Sequence, residues 1–287
     1  MERAGAMAEP LLEAAVETPS GKGRADENFP VGSFLIRRDL RPHVHAFYRF
    51  ARNADDIADN PALAAAEKVR RLERMEEILD GAPGTDSPAV SVMRASLLAT
   101  GTTFQHCRDV LRAFKLDATK LRYTDWADLM EYCRYSASPV GRQLLDLHGE
   151  NRATWPSSDA LCSALQVLNH LQDCADDYHA LNRVYLPAQD LAACNARLED
   201  LDAAYASASL RGVLDRLLDG TEALIVKARE LPLLVKAAGL RRECAVIVNL
   251  AERLAKRLRV GDPLARRVKL TKGDFAAALF VGLWRGR

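Results

Sequence analysis

The chain reads as an all-α protein. Nearly every segment past residue 33 places its apolar residues at a period near 3.6, the repeat of an α-helix. No stretch alternates polar and β-branched residues in the way a half-buried strand does. Proline and glycine breaks separate the periodic segments at lengths suited to helices.

The first helix is expected over 41–59. Pro42 suits a first turn, and Leu40, Val44, Phe47, Phe50, Ala54 and Ile57 form an apolar stripe before Asn60-Pro61 stops it. A second helix is expected over 64–79, followed by the loop GAPGTDSP at 81–88. Further helices are expected over 88–100, 103–115, 125–148, 157–180, 205–230, 239–258 and 273–284, with a loop at 181–190 and a break at Leu231-Pro232.

Residues 1–27 lack a long apolar core, which argues against a secretory signal and for a flexible tail. No composition shift divides the chain after residue 30, so residues 28–287 are expected to form one catalytic domain.

Composition narrows the function. A formal net charge of +1, without an aromatic-rich basic strand or a zinc module, provides no surface for nucleic acid. Cys107, Cys133, Cys162, Cys174, Cys194 and Cys244 show no C-x-x-C spacing, so neither a zinc site nor a disulfide scaffold is indicated and a reducing, cytoplasmic setting is expected. No segment reaches the ~20 apolar residues that span a bilayer. The nearest, Phe275 to Trp284, reads either as a terminal helix docked on the body or as a peripheral contact with the membrane holding a lipid substrate.

Two acidic motifs carry the chemistry. Arg52, Asp55 and Asp59 lie at i, i+3 and i+7, on one helical face; Gln166, Asn169, Asp173 and Asp177 lie at i, i+3, i+7 and i+11. Apolar neighbours such as Phe47, Phe50, Leu168 and Leu171 mark both as polar spots on buried helices. Stacked carboxylates repel, and hard oxygen ligands from facing helices suit Mg²⁺, which takes a few carboxylates together with water and phosphate oxygens. A diphosphate ligand follows. His43, His45, His170 and His179 read as structural or exposed.

The pairing of FYRFARNADDIAD (Phe47 to Asp59) with LQVLNHLQDCADDYHALNRVYLP (Leu165 to Pro187) resembles the squalene/phytoene synthase family, over roughly residues 28–285. The resemblance implies a helical bundle of the isoprenoid synthase type with a central cavity. It implies Mg²⁺ held by Asp55, Asp59, Asn169, Asp173 and Asp177, with Gln166 beside them. Arg52 and Arg267 look like the family's phosphate-contacting arginines. Tyr132 matches its tyrosine near the reacting carbons, and Tyr185 belongs to its R-x-Y-x-P loop.

Asn28 to Phe34 is similar to the branch that adds water to presqualene diphosphate in bacterial hopanoid synthesis, giving hydroxysqualene and diphosphate. Condensing members usually carry a Ser-Lys-Ser-Phe-like segment where this chain has Val31 to Phe34, and V-A-G-x-V-G where it has Ser136 to Gly141. Ser136 and Ser138 are therefore expected to help position the attacking water, and a presqualene diphosphate synthase is the expected supplier of substrate. Two other readings stand beside this one: a head-to-head condensing synthase, and a non-catalytic assembly protein of the same fold.

Overall fold

The computed structural model describes residues 16–17 and 35–285, and thirteen α-helices lie among them. α1 (Arg41–Ala58), α2 (Ala65–Asp80), α3 (Pro88–Thr100) and α4 (Gln105–Asp117) come first. α5 (Trp126–Ser136), α6 (Ser138–Leu147), α7 (Trp155–Gln172), α8 (Cys174–Leu181) and α9 (Ala188–Ala193) follow. The last are α10 (Ala208–Ala228), α11 (Leu231–Leu234), α12 (Ala238–Val260) and α13 (Lys272–Arg285). The described residues contain no strand, only an isolated bridge between Arg122 and Val184.

Amphipathic faces build two main cores. Phe50 and Ile57 of α1 pack with Leu72 and Met75 of α2, Met93 of α3 and Leu111 of α4. Leu168 and Leu171 of α7 join Leu129 of α5, Leu214 and Leu217 of α10 and Leu254 of α12 in the larger core. α7 is the central strut, packed against α6, α10 and α12. Its Ser157, Ser158, Ala160, Ser163 and Ala164 are all buried, small side chains that permit close approach. Gly141 of α6 meets this surface so tightly that an added Cβ would lie 2.3 Å from Ser158 Oγ and 2.7 Å from Cys162 Sγ.

Two helices expected to be continuous are broken. The segment 125–148 divides at Ala137 (φ −111°, ψ −50°), two residues before Pro139, which has no N–H to continue the ladder. The segment 157–180 divides at Asp173 (φ −110°, ψ 12°), where Gln172 donates to the Val268 carbonyl and Arg267 grips the Asp173 carboxylate. The expected loop at 181–190 gives way to α9 after Pro187. Asn182, at φ 51°, ends α8 in the left-handed conformation that an asparagine tolerates.

α13 docks on α12 through Ala278, which is fully buried, while Phe280 and Trp284 are exposed. No helix among the described residues is long and apolar enough to cross a membrane. Of the tail expected over 1–27, Val16 is buried and Glu17 accepts hydrogen bonds from Ser87 Oγ (2.9 Å) and the Ala89 amide (2.8 Å). Its remaining residues and the segment Asn28 to Phe34 lie outside the described residues.

Candidate active site

α1, α6, α7 and α12 contribute most of the lining of a cavity of about 280 Å³. Phe47, Tyr48, Leu144, Leu161, Leu165 and Ile247 give it apolar walls, and Arg52 and Asp55 stand at one end. The helical rise of 1.5 Å per residue carries α1 from His43, also in the lining, to Asp55 over roughly 18 Å.

The acids gather at that end. Arg52 reaches Asp55 (3.0 Å) and the buried Asp56 (2.8 Å), so the two acids share the arginine. Arg267, from the segment between α12 and α13, holds Asp173 through Nε (2.6 Å) and Nη2 (2.7 Å). Burial in the cleft, then repulsion from Asp59, pushes the Asp55 carboxyl well above the usual carboxylate range. Asp177 is pushed up to about 7 by burial, by Asp173 and by Asp59. Asp59, at the end of α1, bears on Asp177 of α8, which brings the two motifs to one locality.

Among the described residues, no three His, Cys, Asp or Glu side chains converge on a point that could hold a metal ion by themselves. The donors are instead paired carboxylates on separate helices, with Asn169 one turn before Asp173. That set fits Mg²⁺, which binds through one or two carboxylates while keeping water and phosphate oxygens in its shell, rather than in an all-protein cage.

Tyr132 and Tyr185 are buried and share one acceptor. Tyr132 Oη donates to Asp117 Oδ2 at 2.7 Å, and Tyr185 Oη donates to Asp117 Oδ1 at 3.0 Å. Arg183, from the same R-x-Y-x-P loop as Tyr185, donates to Asp59 (2.8 Å) and to the Asp117 carbonyl (2.8 Å). The loop is held in place by backbone bonds from Val184 to Leu121 (3.0 Å) and from Ala188 to Tyr123 (2.9 Å). His170 stacks on Tyr185 with ring centroids 3.4 Å apart, and its Nε2 lies 3.2 Å from Gln166 Nε2. Burial, and next the Arg183 charge, lowers His170 to about 3, so it is neutral at ordinary pH.

Asp117, Arg183 and His170 received no role from the sequence. Signals for them exist: Asp117 continues the stripe of Val110 and Phe114 on α4, Arg183 opens the R-x-Y-x-P loop, and His170 lies one turn from Gln166. The serines expected to position water occupy the α5–α6 junction. Ser138 is buried, Ser136 Oγ has no hydrogen-bond partner, and the residues this segment gives to the cavity lining are Val140 and Gly141.

The squalene/phytoene synthase family matches residues 22–274. The chain is 45% identical to a hydroxysqualene synthase of Rhodopseudomonas palustris over 94% of its own length and 92% of that protein's. It is 44% identical to a hydroxysqualene synthase of Zymomonas mobilis over 91% of its own length and 89% of the relative's. The crystal structure of a squalene synthase from Alicyclobacillus acidocaldarius superposes with a TM-score of 0.71 at 32% identity, covering 82% of this chain and 89% of that one. The chain is an enzyme of the squalene/phytoene synthase family.

Proposed function

We propose that the enzyme converts presqualene diphosphate and water to hydroxysqualene and diphosphate, with Mg²⁺ as cofactor. The observation that carries this reading is that Arg52 and Asp55 of the first acid motif line an apolar cavity, while Asp59 of the same motif bears on Asp177 of the second. The names of the relatives from R. palustris and Z. mobilis support the particular reaction.

Asp55, Asp59, Asn169, Asp173 and Asp177 would hold Mg²⁺, which supplies charge neutralisation to the departing diphosphate when bound. Arg52 and Arg267 bind and orient the phosphate oxygens, exchanging carboxylate partners for phosphate ones of the same geometry. Leu161, Leu165 and Phe47 surround the hydrocarbon and keep bulk water from the cation left by C–O cleavage. One admitted water then forms the alcohol.

The test supplies purified protein with presqualene diphosphate and Mg²⁺ in one reaction and farnesyl diphosphate and Mg²⁺ in another. Hydroxysqualene in the first, with no presqualene diphosphate in the second, is the expected result. Turnover confined to farnesyl diphosphate would identify a condensing synthase instead.

A further inference from the structure

The Asp117 carboxylate has no part in the steps above, yet it is among the most constrained groups in the protein. It closes α4, is 3% exposed, and lies at the helix end where the backbone carbonyls already concentrate negative charge. A buried acid there is costly without donors. Its donors are two phenols, each spending its single proton on Asp117, so that Tyr132 Oη and Tyr185 Oη, 3.5 Å apart, turn their remaining lone pairs away from it. Arg183 adds a charge 3.9 Å away and joins the trio to Asp59 of the acid cluster. The trio therefore stands beside the acid cluster, close enough for Asp117 to act on Asp55, which lines the cavity.

Neither phenol can serve as a base alone. Burial, and then the Asp117 charge, holds both Tyr132 and Tyr185 well above the usual phenol range. A phenol so placed removes a proton only while passing its own onward. We infer that Asp117 and Tyr132 form a relay that takes up the proton released when water adds to the substrate cation, with Asp117 as the positioning residue that acts through Tyr132. This rests on the hydration reading. The water oxygen uses a lone pair to form the C–O bond, and the resulting oxonium loses a proton to Tyr132 Oη. In the same movement the original Tyr132 proton passes to Asp117 Oδ2, turning carboxylate into carboxylic acid. Nothing is oxidised or reduced, and the proton returns to solvent after product leaves.

The surroundings suit that duty. Two phenol donors and the Arg183 charge favour its ionised form, while burial raises it to about 6. The other titratable groups facing it are Asp55 of α1, Asp59 just past its end and Asp177 of α8, with Cys133 of α5, Tyr123 from the α4–α5 connection, and Tyr185; neutral His170 from α7 stacks behind Tyr185. Addition of water to a cation is reversible until the oxonium proton leaves. Losing the relay therefore diverts the cation to alkenes formed by proton loss from carbon.

The experiment compares wild type, Asp117→Asn and Tyr132→Phe with presqualene diphosphate and Mg²⁺, measuring diphosphate released and alcohol formed separately. Wild type is expected to yield about one alcohol per diphosphate. Both variants are expected to release diphosphate while alcohol per diphosphate falls about a hundredfold, within the usual contribution of general acid–base catalysis, and alkene takes its place. Asp117→Glu, which restores the carboxylate, is expected to recover part of the ratio. An unchanged ratio in the variants, with alcohol formed by wild type, overturns the relay alone. Absence of alcohol from wild type overturns the hydration reading and the relay with it. Should Asp117→Asn not fold, Tyr132→Phe decides the matter, because it leaves Asp117 with Tyr185 and Arg183.

Discussion

Around the Arg183 guanidinium lie Asp59 at 2.8 Å and Asp117 at 3.9 Å, and its side chain is only 5% exposed. Removing one member of a buried ion pair leaves the other charge uncompensated, so Arg183→Met is expected to lower the unfolding free energy by about 3 kcal/mol in urea titrations; no loss would show that solvent already screens the site. Asp55→Asn and Asp173→Asn are expected to cut turnover by about 10²–10³-fold, the scale of losing one preorganised electrostatic contact, with unchanged circular dichroism. Near-normal Mg²⁺-dependent turnover in either variant would remove that residue from the site. The acid pairs were legible because helical spacing alone puts them on one face. Asp117 and Arg183 were not, because their meaning comes from a contact between residues 66 positions apart.

At the scale of elements, the helical content was legible and two breaks were not. Ala137 still donates to the Cys133 carbonyl (3.0 Å), Asp173 to Asn169 (3.0 Å) and Asp177 to Asp173 (2.8 Å), so the helical bonding pattern and the apolar periodicity run through each bend. Gly141 is where α6 touches α7, and Gly141→Ala is expected to cost about 1–3 kcal/mol by overpacking, read as a lowered thermal midpoint; a gain in stability would mean that Ser158 and Cys162 move aside freely. Asp274 caps α13 through the Thr271 amide (2.8 Å) and pairs with Arg257 (2.7 Å). Burial alone would raise its carboxyl, but the Thr271 and Arg257 contacts prevail and hold it at about 2. Because the folded-state value lies below the ordinary one, its stabilising effect is present above about pH 4 and is lost as pH falls through 2. The gap in urea midpoint between wild type and Asp274→Asn is expected to narrow as the pH is lowered from 5 toward 3, and a constant gap would contradict this assignment.

Across the whole molecule, the helices hold an apolar cavity against a strongly acidic end, and the two regions make opposite demands on solvent. Carboxylates need water or cations, whereas a carbocation survives only where water is rationed. The sequence made the acid end legible, while the cavity walls come from Val140, Leu161 and Ile247 on three different helices whose convergence only the packing reveals. This arrangement, on the function proposed above, ionises presqualene diphosphate and admits one water. Its most direct test is turnover of that substrate in water enriched in heavy oxygen, with Mg²⁺ and then with chelator, followed by mass spectrometry of the product. Hydroxysqualene carrying one heavy oxygen with Mg²⁺, and none formed with chelator, is the predicted result. An unlabelled alcohol, or equal yield without the metal, would contradict it.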